Sequence, residues 1–284
     1  MYLIKLKMER SQKYFLKLVL LVFMIACNST KTKEEKEAIS KKIMRSSVVH
    51  NFQGLPKSMT AIEKAIKLDP KNADAWRELS VPYLKRGMPT QWKPLFDKAV
   101  ALNPKEWQGW RGYLYLYFYR NYKNAIIDFD ATDALTPNFD DHPQGQSVNY
   151  MRGVAYLGLK DYTKSKMYFD TYIRDQTKTY GEDYADVTAF LYRGIIAYTK
   201  QDITTAKQDF FKVLKYSANH YADAHYYLAK CFLEEGNKDK SNFHIQEAVK
   251  DFNAGYFHTR DYIEVLHQIY IQDLNEVINQ LENS

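Results

Sequence analysis

Apolar and polar residues follow the period of an α-helix along most of this chain, and one arrangement of them keeps returning. Trp76, Leu79 and Tyr83 fall at i, i+3 and i+7, so they share one helical face. Ser80 adds a small residue to that face, and after a turn near Gly87 the pair Phe96 and Ala99 again sets a large residue three places from a small one. Pro104 then ends the run, because proline lacks the helical N–H and restricts the residue before it. The spacing predicts two antiparallel helices over residues 73–103.

The position of Phe96 can be followed through Ile62, Phe96, Phe129, Phe169, Phe210 and Ile245, in steps of 34, 33, 40, 41 and 35 residues. A period of this size predicts stacked helix pairs, each needing neighbours to cover its apolar face. Further pairs are predicted over residues 107–136, 147–176, 185–217 and 222–253, after a degenerate first unit at 38–70. The two longer steps predict inserted loops at 140–145 and 177–183, where turn-forming residues gather. Residues 261–281 space Ile263, Leu266, Tyr270, Leu274, Val277 and Leu281 for a terminal helix covering the end of the stack, as repeat arrays require. The other role open to it is that of a partner-docking or dimer helix.

The unit resembles the tetratricopeptide repeat: an aromatic, a Leu with a small residue, a Tyr, an Ala/Phe/Ala ladder and a Pro. Pro70, Pro104 and Pro137 fit the stops, and Gly153, Gly194 and Ala229 fill the small slot of the first helix. Tyr156, Tyr198 and Phe232 fill the aromatic slot that follows, and Ser165, Ala206 and Ser241 open the second helices. The resemblance covers residues 38–256. It implies an all-α fold, a right-handed superhelical stack of helix pairs (an α-solenoid) with a C-terminal capping helix in residues 257–284. It also implies a concave face, lined by the first helix of each pair, that binds extended or helical peptides.

Some positions depart from that pattern. Trp92 stands in a slot that is usually small and is expected to splay its unit, while Pro82 is expected to kink its helix. Arg152 and Arg193 replace more usual apolar residues. The unit around Trp110 fits two registers: Trp110 and Tyr117 favour one, and Arg111-Gly112, aligned with Arg152-Gly153 and Arg193-Gly194, favours the other.

The first 26 residues read as a secretory signal. Lys5, Lys7, Arg10, Lys13 and Lys17 precede a short apolar run at 18–25, which is too short for a membrane span of roughly 20 residues. Met24-Ile25-Ala26-Cys27 resembles a bacterial lipobox, which implies that Cys27 becomes the lipid-bearing first residue of an envelope lipoprotein, more in keeping with the outer than the inner membrane. An uncleaved anchor and an ordinary cleaved signal are the alternatives. Residues 27–37 read as a flexible tether, in which Lys33-Glu34-Glu35 resembles a surface-export signal or is a solvated linker. The chain carries +6, but residues 1–26 hold five Lys/Arg and one Glu, leaving about +2 for the remainder. A nucleic-acid partner loses its electrostatic basis. With Cys27 lipidated, Cys231 is left to pack as a small buried thiol rather than in a disulfide.

Catalytic and metal-binding patterns are absent from the sequence: it has no phosphate loop, His-Glu-x-x-His, paired-Cys set or Gly-x-Ser-x-Gly. His220, His225 and His244 scatter over one repeat, and Asp128, Asp130, Asp133, Asp140 and Asp141 read as a solvated face with its loop. No enzyme, cofactor or metal is expected. The aromatic helix at 111–122 is the candidate partner surface. In the Trp110 register the concave side carries Arg111, Tyr115, Phe118 and Tyr119; in the other it carries Tyr113 and Tyr117. Arg77, Tyr150, Tyr226 and Lys230 would continue it. Tyr and Arg are enriched at interface hot spots, although the same rings can serve as packing within the stack. The expected function is a lipid-anchored scaffold that binds a protein or peptide in an open groove. The alternative is a small-ligand or glycan-binding lipoprotein that stacks its ligand on aromatics in a closed pocket.

Overall fold

The computed structural model describes residues 31–283. The basic leader, Cys27 and the lipidation expected there lie outside the described residues. Among these residues the chain forms thirteen α-helices joined by turns, in two compact units that divide after Leu102.

The first unit holds α1 (Lys33–His50), α2 (Pro56–Leu68), α3 (Ala73–Lys85) and α4 (Pro89–Leu102). The expected tether ends earlier than its composition suggests, because α1 begins at Lys33. Thr32 accepts the Glu35 N–H at 3.2 Å and donates its own N–H to the Glu35 carboxylate at 2.9 Å. This capping box, with Glu34 and Glu35 at the positive end of the helix dipole, makes Lys33-Glu34-Glu35 a helix start. Ile62, Ala65, Ala75 and Leu79 form the unit's buried cluster. The Ser40 hydroxyl donates to the Ala65 carbonyl at 2.8 Å across that contact. The helix runs through Pro82 without a break, and Trp92 is wholly buried with its ring 5.6 Å from Phe96.

The second unit contains four pairs and a terminal helix. The pairs are α5 (Pro104–Tyr117) with α6 (Tyr122–Leu135), α7 (Val148–Gly158) with α8 (Tyr162–Thr179), α9 (Val187–Thr199) with α10 (Ile203–Tyr216), and α11 (Ala222–Glu234) with α12 (Lys238–Asn253). The terminal helix is α13 (Ile271–Glu282). Each turn within a pair has one residue in the left-handed region, at Arg120, Lys160, Gln201 and Gly236. An Asn or Asp cap follows at once, at Asn121, Asp161, Asp202 and Asn237, accepting the N–H three residues on. The first long step is taken up by a loop containing the 3-10 turn Pro143–Gly145. The second is taken up by lengthening α8 to 18 residues before the turn Glu182–Tyr184.

The large-residue ladder is the core: Ile62, Phe96, Phe129, Phe169, Phe210 and Ile245 are at most 2 % exposed. Gly112, Gly153 and Gly194 each face the ring one helix on. A Cβ added to them would lie 2.6 Å from Phe129, 2.7 Å from Phe169 and 2.6 Å from Phe210. That places the unit around Trp110 in the Arg111-Gly112 register. The hydroxyls of Ser165 and Ser241 donate to the carbonyls of Gly153 and Ala229 at 2.7 and 2.8 Å, binding the second helix to the first where they pass closest.

The departing arginines also have partners. Arg111 grips Asp128 with two hydrogen bonds of 2.8 and 2.7 Å, and Arg193 grips Asp209 on its own second helix in the same way. Arg193 and Arg152 reach back to the preceding second helix, to Asp170 at 2.9 Å and to Asp130 and Asp133 at 2.9 and 2.6 Å. The acidic face is therefore a set of inter-helix clasps, with Asp128 fully buried. Cys231 is buried, and burial pushes its thiol up to about 12. The Nδ1 atoms of His225 and His244 meet at 2.9 Å, so one proton serves both. Among the described residues, no three His, Cys, Asp or Glu side chains converge as a metal set.

Two tests follow from this packing. Gly194→Ala drives a methyl into the Phe210 ring and should cost roughly 1–3 kcal/mol, seen as a lowered melting temperature; an unchanged melt would show that the ring swings aside freely. Burial lowers both histidines of the pair, His244 from 6.5 to about 4. Between those values the unfolded chain takes up a proton that the folded chain refuses. The pair's own contribution to stability is therefore full above pH 6.5 and falls as the pH drops towards 4, while the raised Asp223 on α11 acts in the opposite sense. Exchange protection factors in α11 and α12 should fall further over that window in wild type than in a His244→Leu variant, and an equal fall in both would contradict it.

Candidate functional site

The terminal segment is where structure and sequence expectation diverge most. Residues 261–270 are not helical; α13 begins only at Ile271. Tyr262 and His267 take left-handed backbone angles, φ 67° and 56°, which break a helix. α13 alone packs on α11 and α12 at the end of the stack. The 17-residue link 254–270 instead enters the groove formed by the first helices of the second unit. A link of that length without helix or strand is uncommon in a compact domain and usually functional.

The groove is built from α5, α7 and α9 and the start of α11. Tyr113 and Tyr117 project from α5 one helical turn apart, as do Tyr150 and Val154 on α7 and Thr188 and Tyr192 on α9. The Tyr150 hydroxyl and the Thr188 hydroxyl are 2.6 Å apart, joining two repeats across the groove floor. Asp186 caps α9 by accepting the Thr188 N–H at 3.0 Å.

The link crosses this floor through a series of polar anchors. The Ala222 N–H donates to the Tyr256 carbonyl at 2.8 Å, and the His258 N–H donates to Asp223 at 2.8 Å. The His258 ring meets Tyr192 edge-on at 5.4 Å. Arg260 lies over the Tyr117 ring at 3.9 Å and the Tyr113 ring at 5.2 Å. Its guanidinium donates to the Tyr113 hydroxyl at 3.1 Å and the Gln146 amide oxygen at 3.3 Å. Arg120 closes the far end, donating to the Glu264 carbonyl at 3.0 Å and its carboxylate at 2.7 Å. Burial pushes His258 down to about 4 and raises Asp223 to about 7. Beneath the link is a cavity of about 300 Å³, lined by Tyr117, Tyr150, Tyr192, Tyr221, Asp186 and Arg260 among others.

The expected partner residues take separate places. Arg77 lies in the first unit, paired with Glu78. Arg111 is held by Asp128, Tyr115 is buried, and Phe118 caps the end of α5. The Tyr119 hydroxyl is buried and pushed up to about 12 by that burial. Of the eight, Tyr150 alone lines the cavity. Tyr226 is buried on α11, its hydroxyl pushed up to about 12 by burial with Asp273 and Glu276 of α13 nearby. The Lys230 ammonium sits over the rings of Tyr198 and Tyr226 at 5.1 and 5.2 Å. The residues that gather at the groove are instead Tyr113, Tyr117, Tyr192, His258 and Arg260. The first two were visible in the second register. The histidine and arginine lay in a stretch whose spacing read as helix, and no local signal marked them.

Known proteins place this architecture. Residues 146–174 match the family described as tetratricopeptide repeat. No curated protein matches the chain by sequence. Among solved structures, PilW, described as a widely conserved type IV pilus biogenesis factor, superposes with a TM-score of 0.57 at 17 % identity, over 88 % of this chain and 100 % of its own. PilF of Pseudomonas aeruginosa gives 0.54 at 16 % identity, over 79 % of this chain and 100 % of its own. YrrB, described as a tetratricopeptide-repeat protein with an unusual peptide-binding site, gives 0.50 at 18 % identity, over 68 % of this chain and 93 % of its own. The chain thus carries a tetratricopeptide repeat within a helical stack of the same kind. No helix among the described residues is long and apolar enough to cross a membrane.

Proposed function

We propose that this protein is a non-enzymatic scaffold, anchored to a bacterial envelope membrane through a lipid on Cys27, that docks a partner protein in the groove of its second unit. One observation carries the reading: the groove already holds a non-helical stretch of polypeptide, residues 256–266, which turns back on itself between Arg260 and Ile263, through main-chain, aromatic and arginine contacts. A surface that grips its own chain this way has the donors, acceptors and ring faces to grip another's. The lipobox-like run before Cys27 supports the membrane address, with the outer membrane favoured. The fold likeness to PilW and PilF supports a repeat scaffold and leaves the partner open.

A second reading draws on the cavity of about 300 Å³, which lies at the lower end of the range for small-ligand sites. Its tyrosine walls suit a small polar ligand or sugar. The groove reading is preferred because the link is also anchored outside the cavity lining, by the Ala222 N–H on the Tyr256 carbonyl, by Asp223 on the His258 N–H and by the Tyr113 hydroxyl on Arg260.

Capture from detergent-solubilised membranes with the lipidated protein tests this. Wild type should retain a specific partner, and Tyr113→Ala with Tyr117→Ala should lose it at unchanged helicity. Equal capture by both would move the docking surface elsewhere. Cys27→Ser should release the protein from membranes; a wild type that never incorporates labelled fatty acid would overturn the anchor.

A further inference from the structure

The segment in the groove is held by contacts of an unusual kind. Of residues 254–270, only Val265 and Ile269 are buried apolar side chains, and Tyr256 and Tyr262 stand largely exposed. Phe257 stacks on Phe252 at 4.6 Å and Ile263 and Leu266 are half-buried, and the rest of its hold is polar. Arg260 has no carboxylate within ion-pair distance among the described residues; its partners are two tyrosines and the Gln146 amide. A sheltered guanidinium without a counter-charge gives up hydration for modest return. A segment with few buried apolar contacts lies at the low end of local stability. The helix pairs beneath it are closed by fully buried rings of their own.

The receiving site is specific nonetheless. Two tyrosine rings one helical turn apart, a hydroxyl and an amide oxygen make an electron-rich cradle that suits a planar guanidinium better than an ammonium. We propose that residues 256–266 are a removable occupant of the groove, and that the partner enters as a turn-forming segment whose arginine takes the place of Arg260 against Tyr113 and Tyr117, as Arg260 itself opens the turn to Ile263. This rests on the groove reading given above and adds the chemistry of the partner and the competition it must win. The segment is tied at both ends, by α12 and α13, so it competes at an effective concentration in the millimolar range. A free peptide therefore meets a groove that is mostly closed, and its apparent affinity falls by the closed fraction.

The test uses the full-length mature chain and a labelled peptide of residues 256–266. The R260A/E264A variant removes the two anchors farthest along the segment, and amide exchange reads whether the segment has left. Exchange in 256–266 should rise in the variant while the stack keeps its helicity. The peptide should bind the variant at least about tenfold more tightly than wild type. A peptide carrying Arg260→Ala should lose at least about tenfold, and one carrying Arg260→Lys should fall between. The proposal is overturned if the variant's segment stays protected, if the peptide binds both proteins alike, or if the alanine peptide binds as well as the parent. A concentration-dependent dimer of the variant in place of peptide binding would assign the groove to a second copy and also overturn it. Membrane capture of a groove-dependent partner despite failure here leaves the scaffold reading standing. Success here with no partner captured leaves the cradle without its envelope role.

Discussion

The architecture depends on how closely two helices in a pair can approach. At Gly112, Gly153 and Gly194 the first helix offers bare backbone, and the ring of Phe129, Phe169 or Phe210 lies against it. The ring excludes any side chain, so the glycine fixes which face of the first helix turns inward. The opposite face is then fixed as well, and on α5 it carries Tyr113 and Tyr117. The groove is thus a consequence of the core. The Arg111–Asp128 and Arg193–Asp209 clasps close the same helix pairs from another side. Fully sheltered on the acid side, they add directional constraint more than net stability.

The two kinds of contact divide the molecule by strength. Inside the pairs, burial is apolar and nearly complete. Along the groove, residues 256–266 are held by single hydrogen bonds, ring faces, the buried Val265 and one exposed ion pair, Arg120 with Glu264. An exposed pair contributes roughly 0–1 kcal/mol, whereas a buried Phe contributes roughly 1.5–3 kcal/mol. That contrast is what a covering segment able to open before the stack would need, and it suits a scaffold whose binding face must be both protected and reachable.

The ladder was legible because each rung repeats the same physical demand, and period alone exposes it. Phe169 and Phe210 could be placed from spacing before any coordinates. The register around Trp110 could not, since Trp110 and Tyr117 fit one alignment and Gly112 the other; only the contact of Gly112 with Phe129 decides it. The clasps were hidden because Arg111 and Asp128 are 17 residues apart, a spacing that means nothing until two helices are folded back. Thr32 and Glu35 were legible in principle as a capping box, yet the charged composition around them reads as tether. The terminal segment departs from its sequence pattern for a definite reason. Ile263, Leu266 and Tyr270 have helical spacing, but the groove offers partners to a turned, non-helical chain, and tertiary contact overrides local pattern.

If the groove is closed by a tethered segment, its selectivity is set by a difference of two affinities. A partner must match the cradle and also outbid residues presented at high local concentration. The anchoring helix α13, held by buried Leu274 and Val277, then sets the threshold without touching the partner, because loosening it lowers the effective concentration of the covering segment. A lipid on Cys27 would act on the other side of the balance, since two molecules confined to one membrane meet at raised local concentration. Weak intrinsic binding would then suffice at the membrane and fail in solution. The guanidinium of Arg260 fits that arrangement: its ring and amide partners select an arginine without tying the segment down by an ion pair of its own.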